Sequence, residues 1–259
     1  MSTPAQFERT SILIGAEGIA LLAGKHVFVA GLGGVGACCA EALARAGIGK
    51  LTLVDHDTVT MSNINRQLPA LISTVGASKL EIMRARILDI NPGCILTTHR
   101  VFLDPDNMEK YVPGDADYVI DCIDSLNCKV ALVATSLKRG LNVASSMGAG
   151  NRLDPSRIKL GDISKTAMCP LARIMRKRLH KLGIRTGILT VYSDEPAAAP
   201  LPPVPVEGPG RARAVNGTIS YMPPLFGLML AGEVLRRLLA GEDIRRAPDI
   251  PGLDVDLDE

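Results

Sequence analysis

An α/β fold built on a doubly wound, mainly parallel sheet is expected from three features of the sequence. A glycine-rich run, Gly31-Leu-Gly-Gly-Val-Gly36, follows a short apolar segment, Val27–Ala30. An acidic residue, Asp55, closes the next apolar segment, Leu51–Val54, 24 residues after Gly31. Strand-length apolar segments then alternate with amphipathic, helix-length ones as far as Met147, the pattern of successive βαβ units.

Taken in order, Ser11–Ala23 reads as a short helix after an exposed arm that carries Arg9, because apolar residues recur at Ile12, Ile14, Ile19 and Leu22. Val27–Ala30 is a buried strand, Gly34–Ala46 a helix and Leu51–Val54 the parallel partner strand. Leu80, Met83, Ile87 and Ile90 make Lys79–Ile90 an amphipathic helix, stopped by Asn91-Pro-Gly93. Strands at Ile95–His99 and Tyr118–Cys122, a helix over Leu126–Arg139 and a strand at Asn142–Ser145 complete a Rossmann-like first half. Beyond Gly150 the pattern changes to an elaborated C-terminal half with a helix at Leu171–Leu182 and a strand at Ile188–Tyr192. Six prolines between Asp194 and Gly210 predict a flexible, extended loop over 194–214. The whole chain, 1–259, is read as one domain, with 1–150 the nucleotide-binding half and 151–259 the substrate-facing half.

Composition narrows the function classes. Aromatic residues make up 3% of the chain and tryptophan is absent, so stacking platforms for single-stranded nucleic acid are scarce. A net charge of +2 means that any polyanion must be bound by a local cluster of cations. The six cysteines include no C-x-x-C pair, and Met1–Gln6 has no signal-peptide pattern, which fits a reducing, cytoplasmic setting without a structural zinc site. The apolar stretch Thr218–Leu235 is interrupted by Pro223-Pro224 and carries Glu233, so it reads as a buried helix. A membrane-associated helix anchored by Arg236-Arg237 is the lesser alternative.

The glycines alone indicate a nucleotide, with Gly31, Gly33 and Gly36 at the spacing that allows a tight turn, backbone approach to phosphate and close helix packing, and Asp55 placed for a ribose hydroxyl. Arg66 and Lys79 change the reading. Hydride transfer has no use for two cations there, whereas breaking a triphosphate needs charge neutralised as it develops on the phosphates.

Six motifs in order carry a resemblance: Gly31–Gly36, Asp55-His-Asp57, Ser62-Asn-Ile-Asn-Arg-Gln67, Val75-Gly-Ala-Ser-Lys79, Ile90-Asn-Pro92 and Asp121-Cys-Ile-Asp124. Together they resemble the ThiF/MoeB/HesA adenylyltransferases, relatives of ubiquitin-activating enzymes. The runs Arg9-Thr10, Ser145-Ser-Met-Gly-Ala-Gly150, Leu153-Asp-Pro155, Asp162–Thr166 and Pro170-Leu171 are most similar to the branch that dehydrates tRNA threonylcarbamoyladenosine. The resemblance implies ATP-dependent activation of a carboxylate on a modified tRNA adenosine, followed by cyclisation, in a homodimer. It implies phosphates held by Gly31, Gly33, Gly34 and Gly36, phosphate oxygens oriented by Asn63 and Asn65, nucleotide contacts from Asp57, ribose held by Asp55, and catalytic roles for Arg66 and Lys79. Asp124 would hold Mg²⁺ and Arg9 would act as an arginine finger from its own or a second subunit. Whether a monovalent cation also binds is left open.

The substrate side is read from Leu171–Arg185, where Arg173, Arg176, Lys177, Arg178, Lys181 and Arg185 occur without an acidic residue. One face of this helix can pack through Leu171, Ile174, Met175 and Leu182 while the other meets tRNA phosphates, with Lys165, Arg211 and Arg213 extending the patch. The alternative activity, adenylation of the C-terminus of a small sulfur-carrier or ubiquitin-like protein, is disfavoured because no cysteine follows Cys169 to serve as a thioester or persulfide nucleophile. The remaining cysteines read as small buried hydrophobes.

Overall fold

The apolar segment ahead of the glycines forms an interior strand of the sheet. In the structure, a computed structural model that describes residues 3–204 and 213–241, helix α1 (Glu8–Ala23) leads into strand β1 (His26–Ala30), which is buried at every position. Helix α2 (Gly36–Arg45) and strand β2 (Lys50–Val54) follow, then α3 (Lys79–Ile90), β3 (Ile95–His99), a single turn α4 (Met108–Tyr111), β4 (Tyr118–Asp121), α5 (Leu126–Lys138) and β5 (Asn142–Ser146). The second half supplies β6 (Ile158–Asp162), α6 (Pro170–Lys181), β7 (Ile188–Ser193), a hairpin of β8 (Leu201–Val204) and β9 (Arg213–Val215), and α7 (Met222–Ala240).

Seven strands form one sheet in the order β3-β2-β1-β4-β5-β7-β6, parallel except for β6 against β7. Winding runs outward from β1 to β3 and then restarts on the other side at β4. Strand order therefore reverses between β1 and β4, which opens a crevice at their C-terminal ends. Alternation along β1 builds the layers: Val27 and Val29 pack with α2, α3 and α7, while Phe28 and Ala30 face α4 and α5. A third cluster joins α6 to β5 and β7 through Met175, Leu179, Val143 and Ile188. The sequence-based expectation of a doubly wound, mainly parallel sheet with an elaborated C-terminal half holds.

Four local expectations are corrected. Helix α1 begins at Glu8 and breaks at Gly15 (φ 71°, ψ 169°), so Arg9 lies on a helix and not in an arm. Strand β6 was not expected; it is an antiparallel edge strand with Lys159 and Leu160 exposed and a glycine at 161, so it shows no apolar run. Within the loop 194–214, Leu201–Val204 is a strand despite Pro202 and Pro203. The paired positions are Leu201 with Val215 and Val204 with Arg213, so both prolines fall at an irregularity where no ladder N–H is needed. The remainder of that loop, 205–212 with Arg211, lies outside the described residues. Finally, Pro223 and Pro224 start α7 and do not interrupt it, because the first turn of a helix has no use for their missing N–H groups.

Helix α7 buries Met222, Phe226, Leu230, Ala231 and Val234, and Arg236 and Arg237 pair with Glu233 at 2.8 and 2.9 Å in place of anchoring at an interface. No helix among the described residues is long and apolar enough to cross a membrane. Helix α7 approaches the glycine loop tightly at Gly227, where an added Cβ would lie 2.2 Å from the Val35 carbonyl. Gly227→Ala should lower unfolding free energy by about 1–3 kcal/mol by forcing α2 and α7 apart. Gly232→Ala, which meets no atom within 4 Å, should raise it by about 0.5–1 kcal/mol. Denaturant unfolding of the two variants decides; equal shifts would contradict the contact.

Candidate active site

A cleft of about 280 Å³, just under the usual range of roughly 300–1,000 Å³ for ligand pockets, occupies the crevice between the C-terminal ends of β1 and β4. Its walls are the glycine loop, the ends of β2 and β4, the start of α3 and the segments at 149–150 and 218. Of the residues expected there, Gly31, Gly33, Gly34, Asp55, Asp57, Arg66, Lys79 and Asp124 line it. Gly36, Asn63, Asn65 and Arg9 do not.

The loop can form only with glycine at two places. Gly31 has φ +88°, and a Cβ there would meet the Cys122 carbonyl at 2.8 Å; at Gly36 a Cβ would sit 1.8 Å from the Gly31 carbonyl. Gly33, by contrast, faces open space, with Gln67 its nearest neighbour at 3.8 Å, so phosphate can approach the backbone. No side chain caps α2; in its first turn the Ala37 N–H donates to the Gly33 carbonyl at 3.2 Å, and the neighbouring Gly36 and Cys38 N–H groups have no acceptor among the described residues and can meet an anion. Asp55, 8% exposed, holds the loop from below: its carboxylate accepts from Leu32 N at 2.6 Å and Asp57 N at 2.7 Å. Two N–H groups thus occupy part of the carboxylate expected to bind ribose, and lone pairs remain for a hydroxyl.

Lys79 is the first residue of α3 and only 4% exposed. A cation at a helix N-terminus opposes the helix dipole, and burial disfavours it further. Asp57 offsets both, accepting from Lys79 Nζ at 2.7 Å. Arg66 is oriented by carbonyl-type oxygens, those of Ser62 (2.7 Å) and Asn65 (2.8 Å), and has no acidic partner among the described residues. Asn63 and Asn65, expected to orient phosphate oxygens, are both engaged in building this corner. Asn63 is buried and its Oδ1 caps its own turn by accepting from Thr60 N, while Asn65 Nδ2 donates to the Thr218 carbonyl at 2.9 Å. Gln67, which the sequence reading passed over, lines the cleft, and its buried Oε1 has no partner among the described residues.

The opposite wall rests on a charge pair that the sequence reading also missed. Lys129 (1% exposed) donates to Asp121 (0% exposed) at 2.7 Å and to the Ser146 carbonyl at 2.9 Å, and Ser145 Oγ donates to the same carboxylate at 2.6 Å. Asp121 also accepts from Ile123 N at 3.1 Å, which fixes the turn that presents Asp124. Asp124 is exposed and makes no hydrogen bond or ion pair among the described residues; the N-cap of α5 is Ser125. A free carboxylate beside a phosphate loop has the donor chemistry of a hard-cation ligand. Burial pushes the Cys122 thiol up to about 12 and Cys39 well above its ordinary value, so the wall offers no ready thiolate.

This geometry can hold a nucleotide by its phosphates and gather cations around them. The model of the ThiF family matches residues 7–251. The chain belongs to the ThiF family. Among curated relatives, tRNA threonylcarbamoyladenosine dehydratase of Bacillus subtilis is 40% identical over 94% of this chain and 98% of its own. The Escherichia coli protein of the same name is 37% identical over 91% and 94%. The crystal structure of the Escherichia coli enzyme, TcdA, in complex with ATP superposes with a TM-score of 0.81 at 36% identity, covering 91% of this chain and 94% of that one.

Two elements of this ThiF protein lie away from the cleft. Arg9 is exposed near Phe7, whose ring meets Gly47 ahead of β2, at the end of the sheet opposite the cleft. On α6, Arg173, Lys177 and Lys181 are exposed four residues apart and so share a face, as are Arg178 and, just beyond the helix, Arg185 and, before it, Lys165. Arg176 is instead half-buried and donates to the Thr166 carbonyl at 2.9 Å. The packed face is Ala172, Met175 and Leu179, while Ile174 and Leu182 are 41% and 57% exposed, contrary to expectation. Lys129→Met should destabilise the fold by about 3–5 kcal/mol, because it strands a buried carboxylate, and adding Asp121→Asn should recover most of that loss. Denaturant melts of the single and double variants measure it; additive losses would contradict the pairing.

Proposed function

We propose that this protein is an ATP-dependent dehydratase of N6-threonylcarbamoyladenosine in tRNA, acting as a single adenylating unit whose second half faces the tRNA. The observation that carries the reading is the extent of the likeness to dehydratases bearing that name. It spans 94% of this chain, and so takes in the basic helix α6 as well as the nucleotide cleft.

ATP lies with its phosphates over Gly33 and the N-terminus of α2 and its ribose toward Asp55. Lys79 turns from Asp57 to the triphosphate, and Arg66 closes from the opposite corner; both place positive charge where negative charge develops at the α-phosphorus. A threonyl carboxylate oxygen attacks that phosphorus and pyrophosphate leaves, giving an acyl adenylate. A ureido nitrogen or oxygen of the same substrate then bonds to the acyl carbon, its N–H proton passes to solvent, and AMP departs with the former carboxylate oxygen. The nucleoside has lost one water, which ATP has taken up as AMP and pyrophosphate. Asp124 fits Mg²⁺, which when bound would neutralise phosphate charge.

The face formed by Arg173, Lys177 and Lys181 takes the tRNA backbone. Helix α6 starts beside the cleft wall, since an added Cβ at Gly148 would meet Leu171 at 3.9 Å. Phosphates on α6 and a modified base in the cleft are therefore compatible. Arg9 reaches a cleft from a second copy of the chain, a reading supported by its place at the far end of its own sheet and by the neighbouring Ile12 and Leu13, 75% and 68% exposed.

With ATP and tRNA bearing the modified adenosine, mass spectrometry should show that nucleoside one water lighter. Lys79→Ala and Arg66→Ala should each slow its formation about 10²–10³-fold with far smaller loss of ATP affinity; no loss of water in the wild type overturns the assignment. Replacing Arg173, Lys177 and Lys181 with Glu should weaken tRNA binding and flatten its salt dependence, by about one unit of slope per lost phosphate contact. ATP affinity should stay unchanged. Equal tRNA affinity would remove it from α6.

A further inference from the structure

Arg152 is 4% exposed and has no carboxylate partner among the described residues. Among the described residues its guanidinium is held by carbonyls alone: Nη1 donates to Gly148 at 2.6 Å and to Gly150 at 3.3 Å, and Nε to the Glu195 carbonyl at 3.3 Å, while the buried Nη2 has no partner there. The nearest candidate for a counter-charge, Glu195, turns its carboxylate to the Leu153 and Asp154 N–H groups at 3.0–3.1 Å. An uncompensated buried cation is expensive, and it stands directly behind the cleft wall formed by Ala149 and Gly150.

Its effect on that wall follows from peptide geometry. The Gly148–Ala149 peptide is trans, like every other described, so its N–H points opposite to the carbonyl that Arg152 holds. Two residues on, the same alternation is visible. The Gly150 carbonyl faces Arg152, and the Asn151 N–H on the far side reaches the Gly217 carbonyl at 2.8 Å, next to cleft-lining Thr218. Ala149 N–H emerges on that same side, from a residue of the cleft wall, and has no acceptor among the described residues.

We propose that the Ala149 N–H is the donor that receives the oxyanion formed during cyclisation, and that Arg152 is a positioning residue that aims and polarises it. The inference rests on the dehydratase reading above. When the ureido nucleophile bonds to the acyl carbon, the carbonyl π pair moves onto oxygen; collapse of that oxyanion re-forms the carbonyl and expels AMP with the C–O pair. Negative charge thus appears on an oxygen that is neutral in the acyl adenylate, where a fixed N–H stabilises the transition state more than the ground state. A cation on the carbonyl of the same peptide strengthens its N–H as a donor, and no group has to move during the reaction.

The test separates the two chemical steps in single-turnover reactions with ATP and modified tRNA, following pyrophosphate and cyclised nucleoside. Replacing residue 149 with lactate, which keeps the methyl side chain and exchanges N–H for an ester oxygen, should slow cyclisation about 10²-fold while pyrophosphate forms nearly as in the wild type, so that acyl adenylate accumulates. Arg152→Met should show the same split, and Arg152→Lys, which restores a cation to the carbonyls, should recover much of the cyclisation rate. If Arg152→Met fails to fold, the lactate protein decides alone. Cyclisation at the wild-type rate in the lactate protein, or an equal fall in both steps, overturns the proposal while the dehydratase assignment stands. Absence of tRNA-dependent pyrophosphate in the wild type overturns both.

Discussion

The buried pair of Lys129 and Asp121 is the constraint from which the working end of this molecule hangs. Both groups are withdrawn from water, so neither is tolerable without the other. What makes the pair tenable is that its remaining valences are taken: Ser145 Oγ and Ile123 N donate to the carboxylate, and the Ser146 carbonyl accepts from the ammonium. Three elements, β4, β5 and α5, are thereby locked at the ends from which two cleft walls depart. One is the turn at 122–124 that carries Asp124. The other is the segment after Ser146 that runs to Gly148–Gly150. A hydrophobic substitute could fill the same volume, but it could not set the direction of both departures.

On the facing side the same logic is reversed, because its cations are held in a form that can be released. Lys79 sits buried against the helix dipole, with Asp57 as its partner and that partner about half exposed. A pair between a buried cation and a solvated anion is loosely bound compared with one in which both are buried. A triphosphate brings more charge than one carboxylate and can displace it. Asp55 is the opposite case. Its carboxylate is committed to the Leu32 and Asp57 N–H groups, so the residue whose spacing announces ribose binding is equally the brace that keeps the glycine loop open.

How much of this was legible depends on whether a residue's role is local. Helix α3 and strand β3 begin and end where the sequence placed them, because the apolar spacing of Leu80, Met83, Ile87 and Ile90 is local and Asn91-Pro92 stops it. Strand β6 escaped because an antiparallel edge strand needs only one buried face, and a five-residue segment with Lys159 and Gly161 shows no run. The bonds that Asn63 and Asn65 make were not legible, because a motif fixes which residues are present but not where their side chains turn. Asn63 spends its amide on its own turn and Asn65 on Thr218, 153 residues away. Lys129 was invisible for a similar reason: a lysine among apolar residues on a helix reads as an ordinary surface charge until the fold brings Asp121 to it. Spacing within βαβ units is encoded by local sequence, whereas the satisfaction of a buried charge is a property of the assembled sheet.

The second half extends this sheet. β7 pairs with β5 in register from Val143 to Ser146, and β6 closes the edge. Asp162, at the end of β6, caps the turn at Ser164 and also accepts from Gly187 and Ile188 at the start of β7, so the chain entering and leaving α6 is tied at both ends. The packed face of α6 is buried against β5 and β7. Its cationic face therefore has a fixed bearing relative to the Gly148–Gly150 wall, set by the same strands. The proposed placement, in which a large polyanion lies on α6 while one nucleoside enters the cleft, depends on that fixed bearing more than on overall positive charge. With a net charge of only +2 over the chain, the positive character of that face is local, carried by Arg173, Lys177 and Lys181 on one side of α6.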